Sequence, residues 1–195
     1  MKTTIYLVRH GEYANPKYLF PGRLPEFPLT ERGREQVEKL AIFFQKRPIV
    51  AIYSSPLLRT RQTAEIIASH LDLSIKFDDR LLEVRTNLEG ISMQKFDETN
   101  GELSYLPQYY AKGAESMDEL ASRMVGFIEE KRKEHQGKNA LVITHGDPMR
   151  FVVMKYMGLP IMFPASHTLA TPLAGGYRIE FDWHVEPQVY PIVTT

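Results

Sequence analysis

Short apolar runs alternate with amphipathic segments along most of the chain. Runs suited to buried strands cover residues 5–8, 49–53 and 140–144. Apolar residues recur at helical spacing in three longer segments, residues 30–46, 56–71 and 116–135. Alternating strands and helices predict an α/β protein whose mainly parallel central sheet is covered by helices on both faces. We therefore expect a three-layer sandwich.

Polar residues at the start of each helical segment match known capping signals. Thr30 is the expected N-cap of the first helix, and Ser54-Ser55-Pro56 predicts a cap followed by a first-turn proline for the second. The third segment opens with Ser116 and, three residues later, Glu119, which form a capping-box sequence. Arg59 therefore falls in the first turn of the second helix.

The pattern weakens between residues 84 and 115. Apolar residues there indicate short helices around residues 91–96 and 105–110, and so long an excursion between core elements is typical of a lid or substrate wall. Further on, residues 177–183 alternate strictly and predict a strand, with 185–193 as a possible hairpin partner at the sheet edge. We expect a single domain over residues 1–195 with a lid-like excursion at about 84–115.

Composition excludes several classes of protein. Lysine and arginine together number 24, as do aspartate and glutamate, so the chain lacks the basic surplus of nucleic-acid-binding proteins. The absence of cysteine excludes disulfides, thiolate metal sites and thiol nucleophiles. Neither a signal peptide nor a membrane span of about 18 apolar residues is visible in the sequence. We expect a cytoplasmic monomer or homodimer that binds neither nucleic acid nor membranes.

Two of the predicted strands run directly into a histidine–glycine pair. Arg9 and His10-Gly11 follow the first strand, and His145-Gly146 follows residues 140–144. The carboxyl ends of parallel strands share one edge of the sheet, where open α/β sheets bind ligands. Arg59, close to the end of another strand, belongs to the same edge. The sequence thus predicts a pocket formed by two imidazoles and two guanidiniums.

These side chains suit phosphoryl chemistry. Guanidiniums stay charged and bind phosphate oxygens through bidentate hydrogen bonds. A neutral imidazole is a competent nucleophile near neutral pH, and its attack on phosphorus gives a phosphohistidine. A carboxylic acid is then needed to protonate the leaving alcohol. Glu83 is the best candidate for this acid, with Asp78, Asp79 and Glu89 as rivals.

Several spaced motifs resemble the histidine phosphatase superfamily, also called the phosphoglycerate mutase-like family. They are Leu7–Glu12, Pro28–Gly33, Ser54–Ala64, Glu83, Gly113–Ser116 and Thr144–Gly146. The resemblance implies a phosphoglycerate mutase-like fold in which His10 accepts the phosphoryl group and Glu83 is the acid. It also implies that Arg9, Arg59 and His145 hold the phosphoryl group, without a metal or another cofactor.

The loop at residues 13–28 departs from the family pattern. Many members have Ser or Thr directly after the Arg-His-Gly-Glu run and Asn three residues later, whereas this chain has Tyr13 and Pro16 there, with Asn15 one position early. Asn15 and Arg23 are further candidate substrate-binding residues in this loop.

We expect a metal-independent phosphomonoesterase acting on a small phosphorylated substrate. The excursion at about 84–115 is short for a sugar-phosphate mutase of this family, which favours hydrolysis over phosphoryl return. Three alternatives stay open at this point: a phosphoglycerate mutase-type transferase, a non-catalytic module that binds phosphorylated ligands, and, less favoured, a metal-dependent hydrolase.

Overall fold

A mainly parallel sheet forms the centre of the structure. The computed structural model describes residues 2–98, 113–162, 169–182 and 184–193. Within these residues, six strands form one sheet in the order β3-β2-β4-β1-β5-β6. The strands are β1 (Thr3–Arg9), β2 (Ile49–Ser54), β3 (Ile75–Phe77), β4 (Asn139–Thr144), β5 (Gly176–Asp182) and β6 (Val185–Pro191). The first four in sequence run parallel, β5 pairs antiparallel with β1, and β6 pairs antiparallel with β5.

Helices cover both faces of this sheet. Alternate residues of β1 point to opposite sides: Tyr6 and Val8 pack with α1 and α2, whereas Ile5 and Leu7 pack with α4 and α5. The predicted three-layer sandwich is confirmed; that residues 1–195 form a single domain stays a prediction. The helices are α1 (Glu31–Gln45), α2 (Leu58–Leu71), α3 (Met93–Asp97), α4 (Met117–Glu134) and α5 (Gly146–Tyr156).

The helix starts follow the predicted capping signals in two cases out of three. Thr30 accepts a hydrogen bond from the backbone N–H of Gly33, and Ser116 and Glu119 form the complete capping box of α4. The prediction for α2 is wrong, because the helix begins at Leu58 and Pro56 lies outside its first turn. The hydroxyls of Ser54 and Ser55 have other partners, described below.

The sheet ends in an antiparallel hairpin, as predicted. β6 pairs with β5 at the edge of the sheet despite Pro187 and Pro191. The expected helix around residues 105–110 lies outside the described residues. None of the helices in the described residues has both the length and the apolar character needed to cross a bilayer.

The loop that follows β1 is held tightly against the start of α1. A Cβ at Gly33 would lie 2.0 Å from the carbonyl oxygen of Glu12, so this close approach requires glycine. The same carbonyl accepts a hydrogen bond of 3.0 Å from the N–H of Thr30. The backbone just beyond His10 is therefore fixed by packing.

Candidate active site

Two histidines meet where the central strands end. β1 and β4 are parallel neighbours with Arg9 opposite Thr144, so His10 and His145 each lie one residue beyond a strand end. The backbone N–H of His10 donates to the carbonyl of Thr144 at 3.2 Å. The centroids of the two imidazole rings are 5.3 Å apart. Sheet register thus brings together two side chains separated by most of the chain.

His10 is buried and has one ring nitrogen available for chemistry. Its Nδ1 lies 2.8 Å from the carbonyl oxygen of Gly11, and because a carbonyl only accepts, Nδ1 carries the proton. Burial, then the charges of Arg59 and Arg9, lower the pKa of His10 well below its usual value. The imidazole is neutral near pH 7, with its lone pair on Nε2. A neutral imidazole held in this tautomer can act as a nucleophile.

His145 is also fully buried, at the N-cap position of α5. Its Nε2 lies 2.9 Å from the hydroxyl oxygen of Ser55. Burial and the positive charge of Arg59 lower its pKa well below the usual value, so this ring too is neutral in the ligand-free protein. Beside it, α5 presents its N-terminus, an end of a helix that favours anions.

Two arginines bring positive charge to the same place. Arg59 lies in the first turn of α2 and is only 1% exposed, and its Nη2 donates to the carbonyl of Gly22 at 2.8 Å. Arg9 ends β1, and its Nη1 donates to the carbonyl of Thr171 at 2.7 Å. Each guanidinium is therefore anchored through one nitrogen, which leaves others for a ligand.

The buried nitrogens that have no hydrogen-bond partner indicate the kind of ligand that the site would bind. Within the described residues, the buried side-chain nitrogens without a hydrogen-bond partner are Arg9 Nε, Arg59 Nε and Nη1, His145 Nδ1 and Arg150 Nε. Buried polar groups without partners are costly and uncommon in folded proteins. The nitrogens of Arg9, Arg59 and His145 belong to the groups around His10, and Arg150 lines the adjoining cavity. Such a set of donors fits an oxyanion with several oxygens to be bound.

Glu83 follows a short 3₁₀ helix at Asp79–Leu81. The hydroxyl of Thr144, at the end of β4, donates to the carbonyl of Leu81 at 2.7 Å and so holds this helix next to the sheet. The Oε1 of Glu83 accepts from the N–H of Val84 at 2.9 Å. Burial, reinforced by the nearby carboxylate of Asp147, raises the pKa of Glu83 to about 7. A carboxyl group in this state can donate a proton near neutral pH.

A cavity of about 190 Å³ contains the accessible part of this site. Tyr13 connects it to the buried groups, because its ring lies 5.4 Å from that of His10 and 5.6 Å from the guanidinium carbon of Arg59. The cavity is lined by Arg9, Tyr13, Phe20, Pro21, Gly22, Glu83, Val84, Met93, Phe96, Gly146, Asp147, Arg150 and Thr171. It therefore has a charged end next to β1 and β4 and an apolar side next to α3.

The match to a known family covers almost the whole of this architecture. The family described as histidine phosphatase superfamily (branch 1) matches residues 5–185, which include both histidines and both arginines of the site. The chain belongs to the histidine phosphatase superfamily. It is accordingly an enzyme of the phosphatase and mutase type.

Individual members of the histidine phosphatase superfamily are similar to this chain over most of its length. A protein of Escherichia coli O1:K1, named probable phosphoglycerate mutase GpmB, is 34% identical over 165 residues, which are 80% of this chain and 75% of that protein. The structure of YhfR from Bacillus stearothermophilus is 26% identical, with a TM-score of 0.77 over 93% of this chain and 92% of that one.

A further structure shares the superfamily fold. It is phosphoserine phosphatase from Entamoeba histolytica in complex with 3-phosphoglyceric acid, 22% identical, with a TM-score of 0.76 over 96% of this chain and 94% of that one. The phosphoglycerate mutase-like fold expected from the sequence is confirmed by these neighbours.

Asn15 and Arg23 form hydrogen bonds with other groups of the protein. Both polar atoms of the Asn15 amide bond to the backbone of Leu19, at 2.7 and 3.0 Å. Arg23 donates through Nε to the carbonyl of Glu83 at 2.7 Å and through Nη2 to the carboxylate of Glu115 at 3.3 Å. These contacts shape the loop and fix the backbone of Glu83, while direct substrate binding by either residue stays a prediction.

Sequence reasoning missed several residues that touch the site, among them Ser55, Thr171 and Asp147. The sequence predicts Ser55 as part of a helix cap, whereas its position one residue beyond β2, next to the end of β4, brings its hydroxyl to His145. Thr171 holds Arg9 through a backbone carbonyl, which any residue type provides and which leaves no sequence signal. Asp147 lines the cavity from the first turn of α5, which begins at Gly146.

Proposed function

We propose that this enzyme hydrolyses phosphate monoesters through a phosphohistidine on His10. One observation supports this most strongly: unpartnered buried nitrogens of Arg9, Arg59 and His145 accompany a neutral imidazole whose Nε2 is left free by the bond from Nδ1 to Gly11. A phosphoryl group offers the oxygens that these nitrogens lack. Donors fixed in advance around a reacting group are a large source of catalysis, because they need no reorganisation.

In the first step, Nε2 of His10 attacks phosphorus in line with the leaving alcohol. The new N–P bond forms as the P–O bond to the alcohol breaks, while Arg9, Arg59 and His145 bind the equatorial oxygens. The carboxyl of Glu83 transfers its proton to the departing oxygen. Glu83 is suited to this step because its pKa is raised to about 7, so a large share is protonated near neutral pH.

In the second step, water attacks the phosphohistidine. Glu83, now a carboxylate, takes a proton from the water as the O–P bond forms and the N–P bond breaks. Inorganic phosphate leaves, His10 regains its neutral form and Glu83 its proton. Both half-reactions use the same groups in the same places, and the balance requires no metal or redox cofactor.

The substrate we propose is a small monoester with an apolar or aromatic part. The cavity of about 190 Å³ has room for a small leaving group, and its apolar side is formed by Phe20, Met93 and Phe96. The rings of Phe20 and Phe96 are stacked, with centroids 4.4 Å apart. The E. histolytica neighbour, a phosphoserine phosphatase with bound 3-phosphoglyceric acid, supports a small phosphorylated substrate.

A second candidate function is phosphoryl transfer within one substrate. The 34% identity to the protein named probable phosphoglycerate mutase GpmB favours it. A mutase would return the phosphoryl group from His10 to another oxygen of the same molecule and would exclude water meanwhile. Isomerised substrate without free phosphate would identify this reaction.

The decisive experiment is rapid mixing with a ³²P-labelled monoester, followed by an alkaline quench. We expect acid-labile label on the wild-type protein, release of inorganic phosphate with or without chelator, and neither in His10→Ala. His70→Ala is the matched control, because His70 lies at the surface beside Glu38 and should keep full activity. Label that survives in His10→Ala would overturn the assignment of the nucleophile, and binding of phosphate without turnover would indicate a binding module.

A further inference from the structure

The two nitrogens of His145 have different surroundings. Nε2 lies 2.9 Å from Ser55 Oγ, and both residues are 0% exposed. Nδ1 is buried as well, but it has no hydrogen-bond partner in the part of the chain that the structure describes. A neutral imidazole carries a single proton, so its position decides whether Nδ1 meets a ligand as a donor or as an acceptor.

Counting protons at Ser55 locates the proton of His145. The hydroxyl oxygen of Ser55 lies 3.4 Å from the backbone nitrogen of Leu57. The N–H of Leu57 can only donate, so this contact does not use the hydroxyl proton of Ser55. The hydroxyl proton needs an acceptor, and among the described contacts of this oxygen that acceptor is Nε2 of His145. If the hydroxyl of Ser55 donates to Nε2, the imidazole proton resides on Nδ1.

The backbone of Ser55 is fixed in the orientation that this hydrogen bond needs. Its N–H donates to the carbonyl of Ile143 at 3.0 Å, two residues before His145 on the neighbouring strand. Its carbonyl accepts from the hydroxyl of Thr60 at 2.9 Å. The sheet and the first turn of α2 therefore hold the hydroxyl against the imidazole.

We propose that Ser55 is a positioning residue that keeps neutral His145 in the tautomer protonated on Nδ1. This inference rests on the proposed function, since the Nδ1–H would then join Arg9 and Arg59 as a donor to a phosphoryl oxygen. The other tautomer would present a lone pair to a dianion. His10 uses its Nδ1–H differently, on the carbonyl of Gly11, so that one ring supplies a lone pair and the other a proton.

The direct test is a long-range ¹H–¹⁵N correlation spectrum of ¹⁵N-histidine-labelled, ligand-free protein near pH 7.5. His145 is assigned from the signals that disappear in His145→Gln. We expect a protonated Nδ1 and an unprotonated Nε2 for His145 in the wild type. A protonated Nε2 would overturn the proposal, and this spectrum decides the question even if a Ser55 variant fails to fold.

The matched variants are Ser55→Ala and Ser54→Ala. Ser54 is an equally buried neighbour whose hydroxyl bonds only to backbone carbonyls, of Ser55 and Thr60, among the described contacts. Ser55→Ala should lose the fixed tautomer, lower kcat by ~10- to 100-fold, as removal of an orienting partner does elsewhere, and weaken binding of inorganic phosphate. Ser54→Ala should keep the wild-type tautomer. An unchanged tautomer and kcat in Ser55→Ala would refute the role.

Failure of this inference and failure of the proposed function give different results. A wild-type protein that releases no phosphate from any monoester contradicts the function, whatever the spectrum shows. Phosphate release by a protein whose His145 carries its proton on Nε2 contradicts only the role of Ser55.

Discussion

His10 and Glu83 show how burial in one site shifts the pKa values of two titratable side chains in opposite directions. Burial favours the neutral form of each, so it lowers the pKa of the imidazole and raises that of the carboxyl. The guanidiniums of Arg9 and Arg59 lower the pKa of His10 further, while Asp147 raises that of Glu83. Near neutral pH the result is a neutral imidazole beside a carboxyl that is protonated in a large share of the molecules, which is the pair that the proposed ester cleavage needs.

The pH dependence of the reaction should follow Glu83. We expect kcat/KM for an alkyl phosphate to fall as pH rises through about 7, because the acid must be protonated and its pKa is raised to about 7. Glu83→Gln should lower kcat/KM at pH 6 by ~10²- to 10⁴-fold and remove the fall near pH 7. Phosphate release between pH 5 and 9 measures both effects.

Glu89→Gln provides the control for this prediction, since Glu89 was a rival for the same role and does not line the cavity. It should retain the wild-type profile. A fall near pH 7 that persists in Glu83→Gln, or that disappears in Glu89→Gln, would assign the acid elsewhere. An aryl phosphate, whose leaving group needs less protonation, should be affected less by Glu83→Gln.

Which site residues a sequence can predict depends on what fixes them. His10 and His145 follow apolar strands, and parallel strands end at one edge, so pattern alone places them together. Ser55 was visible in the sequence, but its bond to His145 spans 90 residues and depends on strand order, which the pattern leaves open. The carbonyls of Gly22 and Thr171 that hold the arginines have no side-chain signature at all.

At the scale of elements, the strongest periodic segments were predicted well, and of the two short helices predicted in the weak segment the structure describes the first, as α3. α1 and α4 begin at the predicted caps because a hydroxyl and a free N–H three residues apart define a helix start locally. Residues 88–96 pack on the loop before α1, as the bridge between Leu19 and Ser92 and the cluster around Phe20 show. Contacts between two loops leave no periodic pattern of apolar residues in the sequence, so they cannot be predicted from it.

α3 should contribute to substrate selection through Phe96. Its ring lines the cavity and stacks on that of Phe20, so Phe96→Ala removes apolar surface at the leaving-group end. We expect KM for an aryl monoester to rise by ~2- to 10-fold, the equivalent of one aromatic contact, with kcat little changed. KM for a small polar monoester should change less. Steady-state phosphate release with both substrates tests this.

Phe77→Ala is a suitable control, because Phe77 is 47% exposed and is not part of the cavity lining. It should leave KM for both substrates unchanged. An equal rise in KM for the aryl and the polar monoester in Phe96→Ala would mean that α3 supports the site as a whole rather than selecting a leaving group.

Considered as a whole, the molecule combines a well-packed core with a locally unfavourable site. Side chains on both faces of the sheet are fully buried, yet at the strand ends a 1% exposed guanidinium has two nitrogens without partners in the described structure. Burial also lowers the pKa of Arg59, which reflects the cost of keeping that charge away from water. A bound phosphoryl group would offset this cost, so binding and global stability should be coupled.

This coupling predicts that Arg59→Met makes the ligand-free protein more stable and insensitive to phosphate. Replacing a buried, poorly satisfied charge with an apolar side chain of similar length should add about 1–2 kcal/mol to the free energy of unfolding. In the wild type, inorganic phosphate at 100 times its Kd should add about 2.7 kcal/mol to the free energy of unfolding, or roughly 5–10 °C to the Tm.

The control is Arg61→Met, at a half-exposed position of the same helix, which should keep the phosphate-induced shift in Tm. A phosphate-induced shift that survives in Arg59→Met would show that the anion binds elsewhere, and a lower Tm of the ligand-free variant would show that this guanidinium stabilises the fold.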